Sequence, residues 1–170
     1  MNLLHISDLH FEGSKEQICP GVSRSLEKVQ HELRQWDADL AVVTGDLTTN
    51  GWGQRSSLEQ AKEWLDGLRI PYIAIPGNHD SGANLWRSDA HPDLEHYEPV
   101  PFEQTNFGTV FKQAAVVTRE LANFLIIGLA LREDDPDNAL VQLNQILEST
   151  AKPIILCGHY PVVPAREEGV

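Results

Sequence analysis

Cysteine is nearly absent from this chain. The two present, Cys19 and Cys157, form no Cys-x-x-Cys pair. That excludes a disulfide framework and a zinc knuckle, and it reads as two small thiols in a reducing compartment. Long hydrophobic runs are missing too. The longest, Phe124 to Leu131, is broken by Gly128 and is too short to span a bilayer. The N-terminus lacks the basic-then-apolar layout of a signal peptide, because Asp8 and His10 arrive early. These features predict a cytoplasmic protein with no membrane partner. Positive charge is scarce: 13 Lys and Arg against 25 Asp and Glu give a net charge of −12. A surface of that sign repels phosphate backbones and disfavours a nucleic-acid partner. A metal centre can still reverse the field locally. No internal repeat and no low-complexity tract is found.

What is there suits one globular domain over residues 1–170, with 41% hydrophobic and 22% charged residues and chain enough for one sizeable core. Leu3 to Ile6 reads as a short buried strand. Val22, Leu26, Val29, Leu33 and Trp36 then recur at helical spacing, with Ser23 or Ser25 available as a cap. Asp39 to Thr44 is a second strand, and a Gly/Asn/Thr-rich loop follows to Gly53. Leu58, Ala61, Leu65 and Leu68 mark a second helix that Ser56 or Ser57 could cap. Pro71 to Ile75 is a third strand. This β-α-β-α-β order predicts a sheet with parallel strands in an α/β fold.

From Ser81 to Phe107 no period holds, which marks a functional or mobile stretch. Trp86 and Tyr97 within it, and Trp52 nearby, could stack on a base or pack onto the domain. Two strands follow, Ala114–Thr118 and Asn123–Leu131. Pro136–Leu147 is a third helix with Asp135 as a cap, and Pro153–Cys157 is a further strand.

Four of these strands run into polar clusters: Asp8-Leu9-His10, Gly45-Asp46, Gly77-Asn78-His79-Asp80 and Gly158-His159. In open α/β sheets, sites form outside the carboxyl ends of strands. The donors are imidazole, carboxylate and amide without thiolate, a set that suits Zn, Mn, Fe, Co or Ni rather than a calcium cage. Taken singly, Asp46 could be a turn residue and His159 a satisfied core histidine. Asp80 could orient His79 or fix its loop.

His5-Ile-Ser-Asp-Leu-His10, Thr44-Gly-Asp-Leu-Thr48, Ile75-Pro-Gly-Asn-His-Asp80 and Pro153-Ile-Ile-Leu-Cys-Gly-His-Tyr-Pro161 resemble the successive motifs of the calcineurin-like metallophosphoesterases. The likeness is closest to the class III cyclic-nucleotide phosphodiesterase branch. The phosphoprotein phosphatase branch carries Asp-Arg-Gly after the second motif, where Leu-Thr-Thr-Asn-Gly stands here. The lipid A pyrophosphatase branch has Arg at the place of His79.

The resemblance implies a metallophosphoesterase-type α/β/β/α sandwich holding two metal ions and acting on a small phosphate ester. By that resemblance Asp8 and His10 would bind one metal, Asp46 would bridge both, and Asn78 and His159 would bind the second. A hydroxide between the metals would attack phosphorus, and His79 would face the scissile phosphate. Residues 81–107 would be a substrate cap.

The family's closing Gly-His-x-His motif does not occur in these 170 residues. The fold is therefore expected to be C-terminally incomplete, with the final strands missing. A sheet edge exposed in that way makes a homodimer a candidate assembly. Of the remaining histidines, only His91 and His96 lie in a loop free enough to substitute for the lost imidazoles. His5 and His31 read as structural. The competing expectations are a phosphomonoesterase or nuclease of the same fold, and a scaffold that keeps the fold without the chemistry.

Overall fold

A computed structural model describes residues 1–12, 20–81, 100–121, 123–132 and 134–160, with the backbone alone described for 20–24. Its first sheet is parallel, in the order β1 (Leu3–Ile6), β2 (Leu40–Thr44), β3 (Tyr72–Ile75). The register runs from Leu3 opposite Leu40 to Ile6 opposite Val43, and from Ala41 opposite Tyr72 to Thr44 opposite Ile75. Central β2 has Leu40, Ala41, Val42 and Val43 all buried, as a strand covered on both faces must be. Edge strand β1 instead alternates, with Leu4 and Ile6 buried and Leu3 and His5 exposed.

The crossover helices α1 (Pro20–Leu33) and α2 (Arg55–Asp66) lie side by side. Trp64 Nε1 donates to the Leu26 carbonyl at 3.0 Å, and Gln30 Nε2 donates to the Trp64 carbonyl at 2.6 Å. Leu58, Ala61, Leu65 and Leu68 are buried, as their spacing predicts. The α1 stripe holds in part. Leu26 and Leu33 pack on the core, but Val29 and Trp36 stay exposed.

A second sheet has the order β4 (Val116–Leu121), β5 (Phe124–Leu129), β6 (Ile154–Cys157). β4 and β5 are antiparallel, whereas β5 and β6 are parallel. Ile73 and Ile75 of β3 share one core with Ile126 of β5, so the two sheets pack face to face. Helix α5 (Ala139–Ser149) buries Ala139 and Leu143 against the second sheet. Two sheets flanked by helices realise the expected α/β class. Among the described residues no helix is long and apolar enough to cross a membrane.

Several boundaries differ from the sequence expectation. β4 runs on to Leu121, because the ladder continues through solvent-facing Arg119 and Glu120 after the apolar signal has stopped. α5 starts at Ala139 instead of Pro136, because Asp134, Asp135 and Asn138 have φ of +58°, +46° and +54°. The Asp135 carboxylate nonetheless caps it, accepting from Ala139 N at 2.7 Å and Leu140 N at 3.0 Å. Neither serine pair acts as a cap. α1 begins with Pro20, a residue suited to a first helical turn, and α2 follows Gln54, so all four serines lie inside helices.

The 81–107 stretch differs from its expectation at its two ends, and the candidate substrate cap between them is not among the described residues. Residues 82–99, with Trp86, His91, His96 and Tyr97, lie outside the described residues. Its two ends belong to the body of the protein. Ser81 closes the one-turn helix α3 (Asn78–Ser81). At the other end, Phe102 and Phe107 have no exposed surface. Phe107 lies in an unforeseen helix, α4 (Asn106–Phe111), and stacks on Phe111 with ring centroids 4.4 Å apart. Six residues interrupted by Gly108 carry no readable period. Phe107→Ala should therefore cost about 3–5 kcal/mol of stability, read as a fall in the urea midpoint with an unchanged slope. A loss below about 1 kcal/mol would contradict a core role for α4.

Candidate metal centre

Each cluster sits just past a strand end, and the clusters are drawn together by backbone pairing. Asp8 N donates to the Gly45 carbonyl, His10 N to the Asp46 carbonyl and Phe11 N to the Leu47 carbonyl, at 3.0, 3.0 and 2.8 Å. The loops after β1 and β2 therefore zip into one ribbon. Along it Asp8, His10 and Asp46 have φ of +59°, +49° and +49°. Such left-handed backbone costs about 1–3 kcal/mol per residue and persists where neighbours over-determine it. The result brings one donor atom each of Asp8, His10 and Asp46 within 4.8 Å of one another, a group that could hold a metal ion. Asp46 is buried, while Asp8 and His10 reach solvent. Ser7 donates its hydroxyl to the Asp8 carboxylate.

The loop after β3 is pressed against the loop after β2. Gly45 has φ +94°, and a Cβ there would sit 2.7 Å from both Gly77 Cα and His159 Nδ1. A Cβ on Gly77 would in turn collide with the Asp46 carboxylate. Only glycine allows both approaches. The contact leaves the His79 amide donating to Asp46 Oδ1 at 3.1 Å.

From the second sheet, His159 reaches across. Its Nδ1 lies 2.8 Å from the Thr44 carbonyl. A carbonyl can only accept, so Nδ1 carries the proton and Nε2 presents a lone pair when the ring is neutral. That lone pair faces Asn78 Oδ1 at 3.3 Å and Asp46 Oδ2 at 3.6 Å. Three electron-rich atoms converging without a proton between them call for a cation. The 3.3 Å spacing falls within, and the 3.6 Å spacing just beyond, the roughly 3–3.5 Å expected between donors that share one ion at bonds of about 2.1 Å. His79 is tied in the same way, with Nδ1 2.8 Å from the Thr49 carbonyl. Its ring meets that of His10 edge-on, with centroids 5.2 Å apart.

Two residues gain a place here that the sequence left open or missed. Asp80 is 1% exposed and accepts from Leu47 N, Thr48 N, Thr48 Oγ1 and Gly77 N at 2.7–3.0 Å. It fixes the loops, and the Thr49 carbonyl, not Asp80, orients His79. Burial pushes the Asp80 carboxyl above its ordinary value, and the four donors pull against that rise. Tyr160 packs edge-on against His159 with ring centroids 5.1 Å apart. Burial, then the charges of Asp46 and Asp80, hold its phenol well above the usual range, so it stays neutral. The Gly-His-Tyr run contains Tyr160, but no spacing rule marks it.

Comparison with known proteins places the chain in a family. A family model described as calcineurin-like phosphoesterase matches residues 1–169. A protein of Vesicomyosocius okutanii named a probable cyclic nucleotide phosphodiesterase is 25% identical over 163 residues, covering 96% of this chain and 63% of its own. A probable glycerophosphodiester phosphodiesterase of Arcobacter nitrofigilis is 40% identical over 68 residues, covering 40% of this chain and 22% of its own. Among solved structures, purple acid phosphatase from yellow lupin superposes with a TM-score of 0.53 at 16% identity, covering 91% of this chain and 29% of that one. That likeness concerns the fold alone. The chain spans less than two thirds of the length of these relatives.

The loop architecture makes one strong demand, a carboxylate at position 80. Asp80→Asn would turn an amide N–H₂ toward the backbone donors. Burying even one or two of them unsatisfied should cost about 3 kcal/mol or more. Thermal or urea unfolding checks this, and a loss under about 1 kcal/mol would refute it.

Proposed function

Since the chain belongs to the calcineurin-like phosphoesterase family, we propose that it is a metal-dependent phosphodiesterase acting on small diesters such as 3′,5′-cyclic nucleotides. One observation carries this reading. Asp46 is shared between two donor groups, with Asp8 and His10 on one side and His159 and Asn78 on the other. In this reading Asp8 and His10 would hold one ion, Asn78 and His159 would hold a second, and Asp46 would serve both. Mn, Fe, Zn, Co and Ni all suit this donor set. Bound ions supply the charge that stabilises phosphoryl oxygens and acidifies a water toward a pKa of about 7.

The chain's own groups supply the rest. The Thr44 and Thr49 carbonyls hold the His159 and His79 rings by Nδ1, leaving Nε2 of His159 facing Asp46 and Asn78 and Nε2 of His79 free of that bond. His79, when protonated at Nε2, can donate to the departing alkoxide. The net charge of −12 supports a small substrate over a polynucleotide. Relatives named for cyclic nucleotides and for glycerophosphodiesters support the diester class.

The test is hydrolysis of bis(4-nitrophenyl) phosphate, a 3′,5′-cyclic nucleotide and 4-nitrophenyl phosphate, with Mn²⁺ and after chelation. Diester turnover that chelator abolishes supports the reading, while metal-independent or monoester-specific turnover overturns it. Asp46→Asn should lower activity about 100-fold or more at saturating Mn²⁺, and more than His10→Ala does, because it weakens both donor groups at once. His79→Ala should lower kcat about 10²–10⁴-fold with little change in metal bound. Equal metal content and equal turnover in the Asp46 and His10 variants would remove the shared role of Asp46.

A further inference from the structure

The loop that orients His79 is itself held from outside the site. His79 grips it twice, by its ring Nδ1 to the Thr49 carbonyl at 2.8 Å and by its own carbonyl to Gly51 N at 2.9 Å. Gly51 and Gly53 flank Trp52 in this loop, so its backbone is intrinsically permissive. Thr49 itself is tied to the ribbon after β1, its N donating to the Phe11 carbonyl at 3.0 Å, and beyond it the loop is held by Asn106, the first residue of α4. The Asn106 Nδ2 group donates to the Trp52 carbonyl at 2.8 Å and to the Gly51 carbonyl at 3.3 Å.

Asn106 is not spent on its own helix. Thr105 is the N-cap, and its hydroxyl accepts from Gly108 N at 3.0 Å. The helix beneath Asn106 is anchored by Phe107, which has no exposed surface and contacts Phe102 and Phe111. The amide thus projects from a rigid base onto a permissive loop, and that loop sets the imidazole.

We infer that Asn106 is a positioning residue for His79, acting through the Gly51 and Trp52 carbonyls to keep the Thr49 carbonyl on His79 Nδ1. The inference rests on the catalytic reading of His79, but its first test does not. In the ¹⁵N-labelled chain, long-range ¹H–¹⁵N spectra report which imidazole nitrogen carries the proton. The wild type should show His79 and His159 both as Nδ1–H tautomers. Asn106→Ala and Asn106→Asp should shift His79 to a mixture of tautomers. His159, held by Thr44, should stay as it was.

The second test is kinetic. With a cyclic nucleotide, Asn106→Ala should lower kcat about 10-fold at nearly constant KM. It should cause no further loss in a His79→Ala background, as coupling through one residue requires. An unchanged His79 tautomer in both variants would overturn the inference, and so would an equal loss with and without His79. Collapse of the His79 and His159 signals together in both variants would assign Asn106 a general folding role and also overturn it. A wild-type chain that hydrolyses no diester would refute the proposed function alone, since the tautomer spectra still decide Asn106.

Discussion

Three backbone amides and one hydroxyl converge on the Asp80 carboxylate, which is almost wholly buried. Leu47 and Thr48 lie after β2 and Gly77 lies after β3, so this single acceptor ties the two loops whose other residues meet at the donor cluster. An ionised carboxylate can take four such bonds, whereas a protonated or amidated one cannot without turning a donor toward donors. The burial that makes the charge costly also shields these bonds from water. With the loops held, the strained backbone at Asp8, His10 and Asp46 has no freedom to relax.

The second constraint is the close contact between the loops after β2 and β3. Gly45 and Gly77 approach each other more closely than any side chain would allow, and His159 fits against Gly45. This brings the Asp46 carboxylate between donors from both sheets. The carbonyls at either end of the post-β2 loop, Thr44 and Thr49, then fix one nitrogen of each facing imidazole. His159 is left with Nε2 directed at an edge rich in negative and lone-pair atoms. Within a protein of net charge −12, such an edge favours a cation over an anion. The loop after β2 is supported in turn from outside the site, by an amide on a helix whose base is a phenylalanine cluster.

Much of this was legible in the sequence. Apolar runs and helical spacing identified β1, β2, β3, β6 and α2, because burial on both faces or on one stripe leaves a direct mark on residue type. The donor clusters stood out because each follows such a run, where an α/β sheet builds its sites. What was not legible lacks a local signature. The helix α4 is too short and too interrupted to show a period. β4 continues past its apolar residues because ladder bonds ignore side-chain polarity. Val29 and Trp36 share the spacing of Leu26 and Leu33, yet Val29 stays exposed and Trp36 falls beyond the end of α1.

The sequence by itself determined the set of donors and the strands that carry them, since both depend on residue identity and near-neighbour order. Only the tertiary structure decided that Asp46 lies between the two groups of donors. Only it decided that Asp80 fastens loops instead of orienting His79, and that Asn106 reaches the loop beside His79. Apart from the Gly77–Asp80 bond, those are contacts across 32 to 113 residues of chain. They depend on the packing of two sheets and a helix, which no local spacing encodes.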